Sequence, residues 1–292
     1  MPAQDVALKE LSRDPAYDFS YPRLPGRSAG LADRFPGLPL LVVDQEKRIV
    51  WGHDHFRWLR AHCRKKAEVL AVDISPAQAL FLNFNLSSLF FGLNLYEKLL
   101  FTRKISAHCT GQEIQRRADL GFALTDALLQ RLDELLSAYF RPVLAAGRLG
   151  LKTALQLADF SLPDCRALLT LFKKVRFSES QQALVIQLLE ETAFREKKSL
   201  ASILAAARLG ALLKREMPQK RIIDALQAVR YPALTRHEEE WRTWSRAAGA
   251  GKGLALTHSP LFASEEVQVT LSVKNRAAAE KLLQRLKIAA EH

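Results

Sequence analysis

Helical periodicity between about residues 75 and 248 is the feature that most restricts the fold of this chain. Apolar side chains recur there at every third or fourth position, which is typical of helices with one buried face. Short apolar, β-branched runs occur only before and after this stretch. Because these runs are strand-like and the middle is helical, we expect an α+β protein whose central part is mainly α.

The part before the helical stretch is expected to hold an arm and a small mixed domain. Residues 1–35 are rich in Pro, Gly, Ser and charged residues, which predicts a flexible arm. Residues 36–106 combine strand-like and helical runs, which predicts an α/β domain. Its predicted elements are strands at Leu40–Val43, Ile49–Trp51 and Val69–Val72 and helices at about Asp54–Lys66 and from Ser75 onwards.

Residues 107–248 are predicted to form a helical domain, and residues 249–292 a small ββα tail. Near the start of the helical domain, Thr110 to Glu113 has the form of a capping box, and Thr125 precedes a second, leucine-rich helix. These signals predict two successive helices at about 111–136. The tail is expected to contain strands at Gly253–Thr257 and Val267–Val273 and an amphipathic helix at Arg276–Ile288.

The balance of charges favours a polyanionic partner. The chain has 43 Lys and Arg against 31 Asp and Glu, which gives a net charge of +12 and a pI near 9.8. Between Arg195 and Lys252, 13 residues are basic and 6 are acidic. This excess favours nucleic acid first and an acidic membrane surface second, while a solvated helical face is the plainer alternative. Candidate phosphate contacts in this stretch are Lys197, Lys198, Lys214, Arg215, Lys220 and Arg221.

Neither a membrane span nor a set of structural disulfides is expected. No uninterrupted apolar run approaches the roughly 18 residues that a span needs. Residues 1–13 lack the apolar segment of a secretory signal. Cys63, Cys109 and Cys165 are odd in number and widely scattered, which is common for reduced thiols. We therefore expect a cytoplasmic protein, and a nucleic acid partner of the kind that the charge favours would make it nucleoid-associated.

Two regions of the sequence carry a resemblance to a known family. The run from Pro39 to Leu59, PLLVVDQEKRIVWGHDHFRWL, and the elements at 85–86 and 93–97 are similar to the N-terminal domain of ParB-like (ParB/RepB-type) partition proteins. The stretch from Thr110 to Phe160 resembles the helix-turn-helix region of that family. The resemblance implies a ParB/sulfiredoxin-like α/β domain followed by a helix-turn-helix domain at about 111–136.

The resemblance also implies a nucleotide site at the start of the first long helix. In CTP-dependent members of the family, a Gly-Glu-Arg-Arg stretch at a helix N-terminus holds the triphosphate. This chain keeps Gly52 but has His53, Asp54 and His55 in place of Glu-Arg-Arg, and Arg57 supplies the remaining guanidinium. The residues that the resemblance assigns to CTP and Mg²⁺ are Gly52, His53, His55, Arg57, Asn85, Asn94 and Glu97.

Departures from the family pattern argue against retained CTP hydrolysis. Phe84 stands where the family has Glu, Ser88 where it has Arg, and Leu95 where it has Pro. Each lost guanidinium removes charged hydrogen bonds of about 1.5–3 kcal/mol, so triphosphate binding should weaken by orders of magnitude. The sequence therefore predicts no catalytic residue at this site.

Two other activities would use residues of the same turn. His53, Asp54, His55 and His62 could bind a metal ion if the fold brought them together. Adjacent residues at a helix start rarely converge on one ion, so we expect instead that His53 or Asp54 caps the helix, and we assign no metal. The related sulfiredoxins need a nucleophilic cysteine here, and residues 51–58 contain none.

In a helix-turn-helix, the second helix enters the major groove of DNA and its N-terminal residues reach the bases. Here Asp126, Asp133 and Glu134 on that helix would be repelled by phosphates. A helix pair that serves packing alone is the alternative. The predicted DNA contacts are Arg116, Arg117, Thr125, Gln130, Arg131 and Lys152.

The sequence thus predicts a DNA-binding protein of the ParB-like group, acting in plasmid or chromosome partition or in related regulation. Its expected partner is double-stranded DNA, and no membrane partner is expected. The resemblance of the tail from about Pro232 to the family's dimerisation region adds a possible homodimer, and the family role adds a partner ATPase. The alternatives are a residual CTPase or metal-dependent nuclease at Gly52–Arg57, and a protein–protein adaptor that has lost both activities.

Overall fold

The structure of this chain is a computed structural model. It describes residues 3–21, 41–207, 217–248, 254–259, 264, 266–277, 279–280, 283–284 and 287. Two units separate along the chain, Met1–Glu179 and Ser180–His292. The finer domain boundaries expected near residues 35, 106 and 248 stay predictions.

A mixed five-stranded sheet organises the first unit. Its strands are β1 (Gln4–Ala7), β2 (Ser12–Arg13), β3 (Val42–Val43), β4 (Arg48–Trp51) and β5 (Lys66–Ala71). They lie in the order β1-β5-β3-β4-β2. The pairs β1–β5 and β3–β4 are antiparallel, whereas β3–β5 and β2–β4 are parallel. The chain is therefore α+β, as the segregated strand and helix signals predict.

The β3–β4 hairpin that the sequence predicts is present, and Asp44 holds its turn. The Asp44 Oδ1 atom accepts hydrogen bonds from the backbone N–H groups of Glu46 (3.0 Å) and Arg48 (2.9 Å). Arg48 Nε also donates to Asp44 Oδ2 at 2.6 Å. The carboxylate therefore satisfies backbone N–H groups inside the turn, which stabilises a hairpin of two short strands.

The prediction of a flexible arm is wrong for residues 4–21. Strands β1 and β2 belong to this segment and form the two edges of the sheet. Each of them is hydrogen-bonded to a neighbouring strand. Burial of apolar side chains offsets the entropy lost on ordering the segment. The remainder of the predicted arm, residues 22–35, lies outside the described residues. The buried apolar side chains of the segment are Leu8, Leu11, Tyr17 and Phe19.

Twelve α-helices account for most of the described chain. Those of the first unit are α1 (His53–Ala61), α2 (Pro76–Phe91), α3 (Leu95–Ile105), α4 (Gly111–Arg117), α5 (Asp126–Leu135), α6 (Arg141–Ala145), α7 (Leu151–Ala158) and α8 (Leu162–Lys174). The boundary falls at the start of α9 (Glu179–Glu196), and α10 (Leu200–Ala206), α11 (Pro218–Arg230) and α12 (Pro232–Ala247) follow.

Capping explains where several helices begin. The capping boxes predicted at Ser75 and Thr110 are present, and Asn94 forms another with Glu97. Helix α1 is shorter than predicted because Cys63 adopts a left-handed conformation with φ of 52° and strand β5 follows. Such a conformation is uncommon for a residue other than glycine, and it ends the helical hydrogen-bond pattern.

Aromatic packing around Phe101 forms the centre of the first unit's core. Phe101, on α3, is fully buried, and its ring centroid lies 4.3 Å from Phe84 and 5.8 Å from Phe81 on α2. The ring of Phe19 contacts it edge-on at 5.6 Å. The same cluster extends to Trp51 of the sheet and to Ile114 of α4. One core therefore joins the sheet, the N-terminal segment and the start of the helix pair.

The second unit combines helices with a two-stranded sheet. Arg195 on α9 donates to the carbonyl oxygens of Val229 (2.7 Å) and Arg230 at the end of α11. Strands β6 (Leu254–His258) and β7 (Val267–Leu271) pair in antiparallel fashion. The β7 side chains Val267 and Val269 are 41% and 40% exposed, so nothing in the described residues covers them fully.

Two further observations complete the fold. The closing helix predicted at 276–288 falls largely outside the described residues. Within the part of the chain that the structure describes, none of the helices combines the length and apolar character that a bilayer crossing needs.

The packing of Phe19 predicts a measurable contribution to stability. Phe19 is 1% exposed, so Phe19→Ala should lower the free energy of unfolding by about 3–5 kcal/mol. Leu89, which is 76% exposed, is the control, and Leu89→Ala should change it by less than about 0.5 kcal/mol. Urea titration followed by circular dichroism measures both variants. Equal midpoints for the two would show that the segment does not belong to the core.

Candidate functional site

A sharp turn at Gly52 joins β4 to α1 at the position where the nucleotide site is predicted. Gly52 has φ of 92° and ψ of 22°, in the left-handed region that favours glycine. Its carbonyl oxygen accepts the N–H of Phe56 at 2.9 Å, which begins the helix. Neither His53 nor Asp54 accepts a backbone N–H of α1 from among the described residues, so the predicted capping by these side chains is wrong. The Asp54 carboxylate instead accepts a hydrogen bond from Arg57.

Arg57 is bound by oxygen atoms from two segments of the chain. Besides Asp54 on its own helix, its Nη2 atom donates to Ser20 Oγ at 3.2 Å. Its Nη1 atom lies 3.6 Å from Asp18 Oδ2. The guanidinium that the sequence assigns to a nucleotide is therefore engaged by two carboxylates and a hydroxyl of the protein itself.

Asp18 is the centre of this polar network. Its Oδ2 atom accepts a hydrogen bond from Arg13 Nη2 at 2.7 Å. Its Oδ1 atom accepts from Ser20 Oγ at 2.5 Å and from the Ser20 backbone N–H at 3.1 Å. Burial alone would raise the pKa of Asp18, but the nearby positive charges and the hydrogen bonds from Ser20 and Arg13 lower it overall. Asp18 is therefore ionised at neutral pH.

His53 is a buried neutral ring beside the same network. The residue is 3% exposed, and burial lowers its pKa to about 4 despite the opposing effect of the Asp18 carboxylate. At neutral pH Asp18 is therefore paired with the guanidiniums of Arg13 and Arg57 and not with the imidazole, and the ammonium of Lys104 also acts on it electrostatically. Among the described residues, no hydrogen-bond partner exists for the buried His53 Nε2 atom.

The other two histidines of the turn stack on Trp58. The His55 and Trp58 ring centroids lie 5.7 Å apart at an angle of 14°, and those of Trp58 and His62 lie 4.3 Å apart. Burial lowers the pKa of His55, so this ring too favours the neutral form. In the part of the chain with described coordinates, no group of three His, Cys, Asp or Glu side chains could hold a metal ion.

Of the remaining predicted nucleotide ligands, one is exposed and two form hydrogen bonds within the protein. Asn85 is exposed on α2. Asn94 and Glu97 form the capping box of α3, in which Glu97 Oε2 accepts the Asn94 N–H at 3.0 Å. Glu97 is buried, and its Oε1 atom accepts the N–H of Tyr21 at 3.1 Å. Phe84, which replaces a family Glu, is a buried core residue.

Helices α4 and α5 direct their apolar side chains inward and their polar side chains outward. Ile114 of α4 is buried, and three leucines of α5 are buried at helical spacing. Thr125 Oγ1 accepts the N–H of Leu128 at 3.2 Å and caps α5. Between the helices, Gly121 has φ of 73°, and Lys98 Nζ donates to the carbonyl of Leu120 at 2.7 Å. The outer surface of the pair is therefore polar and rigidly supported.

The side chains predicted to contact DNA are all exposed, and they lie on α4, on α5 with its N-cap, and, in the case of Lys152, on α7. Arg117 also packs over the ring of Phe81, with its guanidinium carbon 4.1 Å from the ring centroid. This cation–π contact holds the guanidinium against the ring while the residue stays exposed. The exposed residues of the predicted set are Arg116, Arg117, Thr125, Gln130, Arg131 and Lys152.

Ion pairs already neutralise part of the surface of α5. Arg131 lies 3.0 Å from Glu134 and 2.5 Å from Asp159, and Arg103 lies 2.6 Å from Asp133. All of these side chains are largely exposed, and such pairs contribute about 0–1 kcal/mol each. The pairs are therefore weak enough to exchange for phosphate contacts. They also reduce the repulsion that Asp133 and Glu134 would exert on DNA.

Sequence reasoning missed Arg13, Asp18 and Ser20, because the segment that holds them reads as an arm. Two signals were available in the sequence. Tyr17 and Phe19 are large apolar side chains inside a polar segment. Asp18 and Ser20 have the spacing at which an Asp side chain accepts the N–H two residues later, as it does here at 3.1 Å.

Neither a protein-family model nor a curated protein matches the chain. Similar solved structures include a pNOB8-like ParB N-domain with 16% identity and a TM-score of 0.41, over 78% of this chain and 97% of that one. Another pNOB8-like ParB N-domain has 15% identity and a TM-score of 0.39, over 80% and 96%. The C-terminally truncated chromosome-partitioning protein ParB from Caulobacter crescentus, complexed to the centromeric parS site, has 18% identity and a TM-score of 0.33, over 61% and 96%. This chain is similar to ParB N-domains.

The buried state of His53 predicts a loss of stability in acid. The unfolded chain takes up a proton at this residue below about pH 6.5, whereas the folded chain does so only near its pKa of about 4. Stability should therefore fall as the pH decreases across this window, by roughly 3 kcal/mol for this residue. The His53→Leu variant should lose less stability than the wild type over this range. Urea unfolding of both proteins near pH 7 and near pH 4.5 measures the difference. Equal losses in both proteins would contradict the assignment.

Proposed function

We propose that this chain is a ParB-like DNA-binding protein that acts in partition or in related regulation. The observation that carries the proposal is the exposed basic end of α4, where Arg116 and Arg117 stand beside the turn that leads into α5. The resemblance of the sequence to ParB-like proteins and its net charge of +12 support the same function.

The arrangement favours contacts with the DNA backbone over base reading. Arginine side chains bind phosphate oxygens well, and Arg116, Arg117 and Lys152 are exposed. The start of α5, which would enter the major groove, offers Thr125 and Asp126, and the Thr125 hydroxyl already caps the helix. Gln130 is then the main neutral side chain on α5 that could read a base edge. We therefore expect strongly salt-dependent binding with limited sequence preference.

The family role extends the proposal to partners. A homodimer would allow two helix pairs to contact two half-sites of DNA. A partner ATPase belongs to the same proposed partition role. Arg57, the guanidinium that the resemblance assigns to a nucleotide, is engaged by Asp18 and Asp54, so the proposed function rests on DNA binding and not on this turn.

Removal of the α4 arginines should weaken DNA binding and its salt dependence together. In the double variant Arg116→Gln/Arg117→Gln, the slope of log K against log salt should fall by about 2, one for each lost phosphate contact. Lys173→Gln/Lys174→Gln, which removes two exposed charges from α8, is the matched control. Fluorescence polarisation with a mixed-sequence duplex at several salt concentrations measures the slopes. Equal slopes for the two double variants would argue against this surface.

The placement of α5 in the groove has a separate test. Asp126 is exposed in the first turn of α5, where it would face phosphates, so Asp126→Asn should tighten duplex binding several-fold at low salt. Asp164→Asn, in the first turn of α8, makes the same change elsewhere and should have little effect. Polarisation at one fixed salt concentration compares them. A tighter complex with both variants, or with neither, would show that α5 does not approach the DNA.

A further inference from the structure

The end of α9 exposes a phenylalanine ring to solvent. Phe194 is 89% exposed, more than any other large apolar side chain among the described residues. A single exposed apolar side chain is common at protein surfaces, so its meaning depends on its neighbours. The neighbours of Phe194 are a second aromatic ring and several cations.

Glu191 brings the second ring, that of Tyr231, to the same face of α9. Its Oε2 atom accepts hydrogen bonds from the Tyr231 hydroxyl at 3.2 Å and from Arg230 Nε at 2.9 Å. Phe194 follows Glu191 by three positions, which places both side chains on one face of the helix. Arg195 donates to the carbonyl oxygen of Arg230 and so fastens the end of α9 to the end of α11. Phe194 and Tyr231 therefore belong to one surface of the second unit.

Arg230 stacks on the second ring. Its guanidinium carbon lies 4.7 Å from the centroid of the Tyr231 ring, and 40% of Tyr231 is exposed. An arginine plane on an aromatic ring, beside another exposed ring, offers flat surfaces on which a further planar group can stack. We call the surface formed by Phe194, Lys197, Lys198, Arg230 and Tyr231 the ring patch.

Lys197 adopts a backbone conformation that favours glycine. Its φ is 53°, and the Lys198 N–H donates to the carbonyl of Ala193 at 3.2 Å, which closes the end of α9. Glycine is the usual residue at such a helix end, because a Cβ atom strains this conformation. Strained residues of this kind cluster at functional sites. A glycine would lack the ammonium group, which is exposed here three positions after Phe194.

The charges of the ring patch are divided along α9. Lys197 and Lys198 are exposed at its end, and Lys198 pairs with Glu196 at 3.0 Å. Such exposed pairs are weak and can exchange for other anions. Glu190, about one turn before Phe194, is also exposed. An anion is therefore favoured on the lysine side of the ring and disfavoured on the other side.

Exposed rings next to cations are an arrangement by which proteins hold single-stranded nucleic acid. Unpaired bases stack on the rings, and lysines contact the phosphates between them. The bases of a duplex stack on one another inside the double helix, so a surface ring does not reach their faces. The carboxylates of Glu191 and Glu196, which could accept a ribose 2′-hydroxyl, already accept hydrogen bonds from the protein. The ring patch therefore fits DNA better than RNA.

We propose that the ring patch binds single-stranded DNA. Unpaired bases stack on Phe194 and Tyr231, and the phosphates beside them contact Lys197 and Lys198. These residues belong to the second unit and not to the α4–α5 surface, so the proposal does not depend on the proposed duplex binding.

Fluorescence polarisation of the full chain with two labelled strands at low salt tests the stacking. One strand is an oligothymidylate, and the other is an abasic oligonucleotide of the same length, which has the phosphates without the bases. The wild type should prefer the oligothymidylate. Phe194→Ala should weaken oligothymidylate binding at least about fivefold, the equivalent of about 1 kcal/mol, and leave abasic binding unchanged. Phe194→Trp, which keeps a ring, should bind like the wild type or more tightly.

Tyr139→Ala is the matched control for the loss of an exposed ring. Tyr139 is 46% exposed and carries Arg166 over its ring at 4.1 Å, as Tyr231 carries Arg230. This variant should bind oligothymidylate like the wild type, whereas Tyr231→Ala should bind more weakly. Equal losses in the two tyrosine variants, or unchanged binding by Phe194→Ala, would overturn the proposal.

The lysines have a separate test. Lys197→Gln/Lys198→Gln should lower the slope of log K against log salt for oligothymidylate by about 1.4, because each phosphate contact on a single strand contributes about 0.7. Lys173→Gln/Lys174→Gln on α8 should leave the slope unchanged. Lys197→Gly should raise the urea midpoint of unfolding, because it removes the strain, and still weaken oligothymidylate binding. Unchanged binding by Lys197→Gly would show that the strained lysine does not serve this site.

The remaining outcomes separate the ring patch from other surfaces and partners. Arg116→Gln/Arg117→Gln should weaken duplex binding and keep oligothymidylate binding, whereas Phe194→Ala should do the reverse. Loss of oligothymidylate binding in the arginine variant would place the single strand on the α4–α5 surface and overturn the proposal. Tighter binding of an oligouridylate would overturn the choice of DNA. Polyglutamate binding that depends on Phe194, without any binding of oligothymidylate, would overturn it in favour of an acidic protein partner.

Discussion

The packing of three phenylalanine rings around Phe101 is the interaction on which the first unit depends. Phe101 brings together Phe81 and Phe84 of α2 and Phe19 of residues 12–21, which we call the strap. Aromatic side chains bury large apolar areas, and edge-on and tilted contacts add to that stabilisation. The same cluster includes Ile114 of α4, so the core that fixes the strap also supports the outer surface of the helix pair.

Burial around this core determines the electrostatics of the Gly52 turn. His53 is buried and stays neutral, and the effect of burial on Asp18 is outweighed by nearby positive charges and by hydrogen bonds from Ser20 and Arg13, which lower its pKa. A carboxylate in such a place needs cationic partners, since an unpaired buried charge is strongly unfavourable. The ion network of the turn is thus a consequence of packing the strap and not an independent surface feature.

The two candidate sites of the first unit differ in what holds their charged groups. At the Gly52 turn, arginines pair with carboxylates in a half-buried network. On the α4–α5 surface, Arg116 and Arg117 are exposed and their helix is anchored by Ile114. Exposed arginines keep their capacity for outside anions, whereas the enclosed ones are already bound. This contrast is why the proposed DNA contacts lie on the helix pair.

The sequence by itself determined the elements: the β3–β4 hairpin, the capped helix starts at Ser75 and Thr110, and the apolar faces of α4 and α5. These follow from local signals, because turn residues, caps and side-chain periodicity act within a few positions of the chain. Only the tertiary structure decided that the strap joins the sheet and that Asp18 reaches Arg57, 39 positions away. Pairing of β1 with β5 and burial of Phe19 against Phe101 are long-range contacts, and the composition of the N-terminal segment does not predict them. The physical reason is that burial depends on which surfaces meet in space, and the local signals in residues 12–21 indicate burial and a turn without identifying the partners.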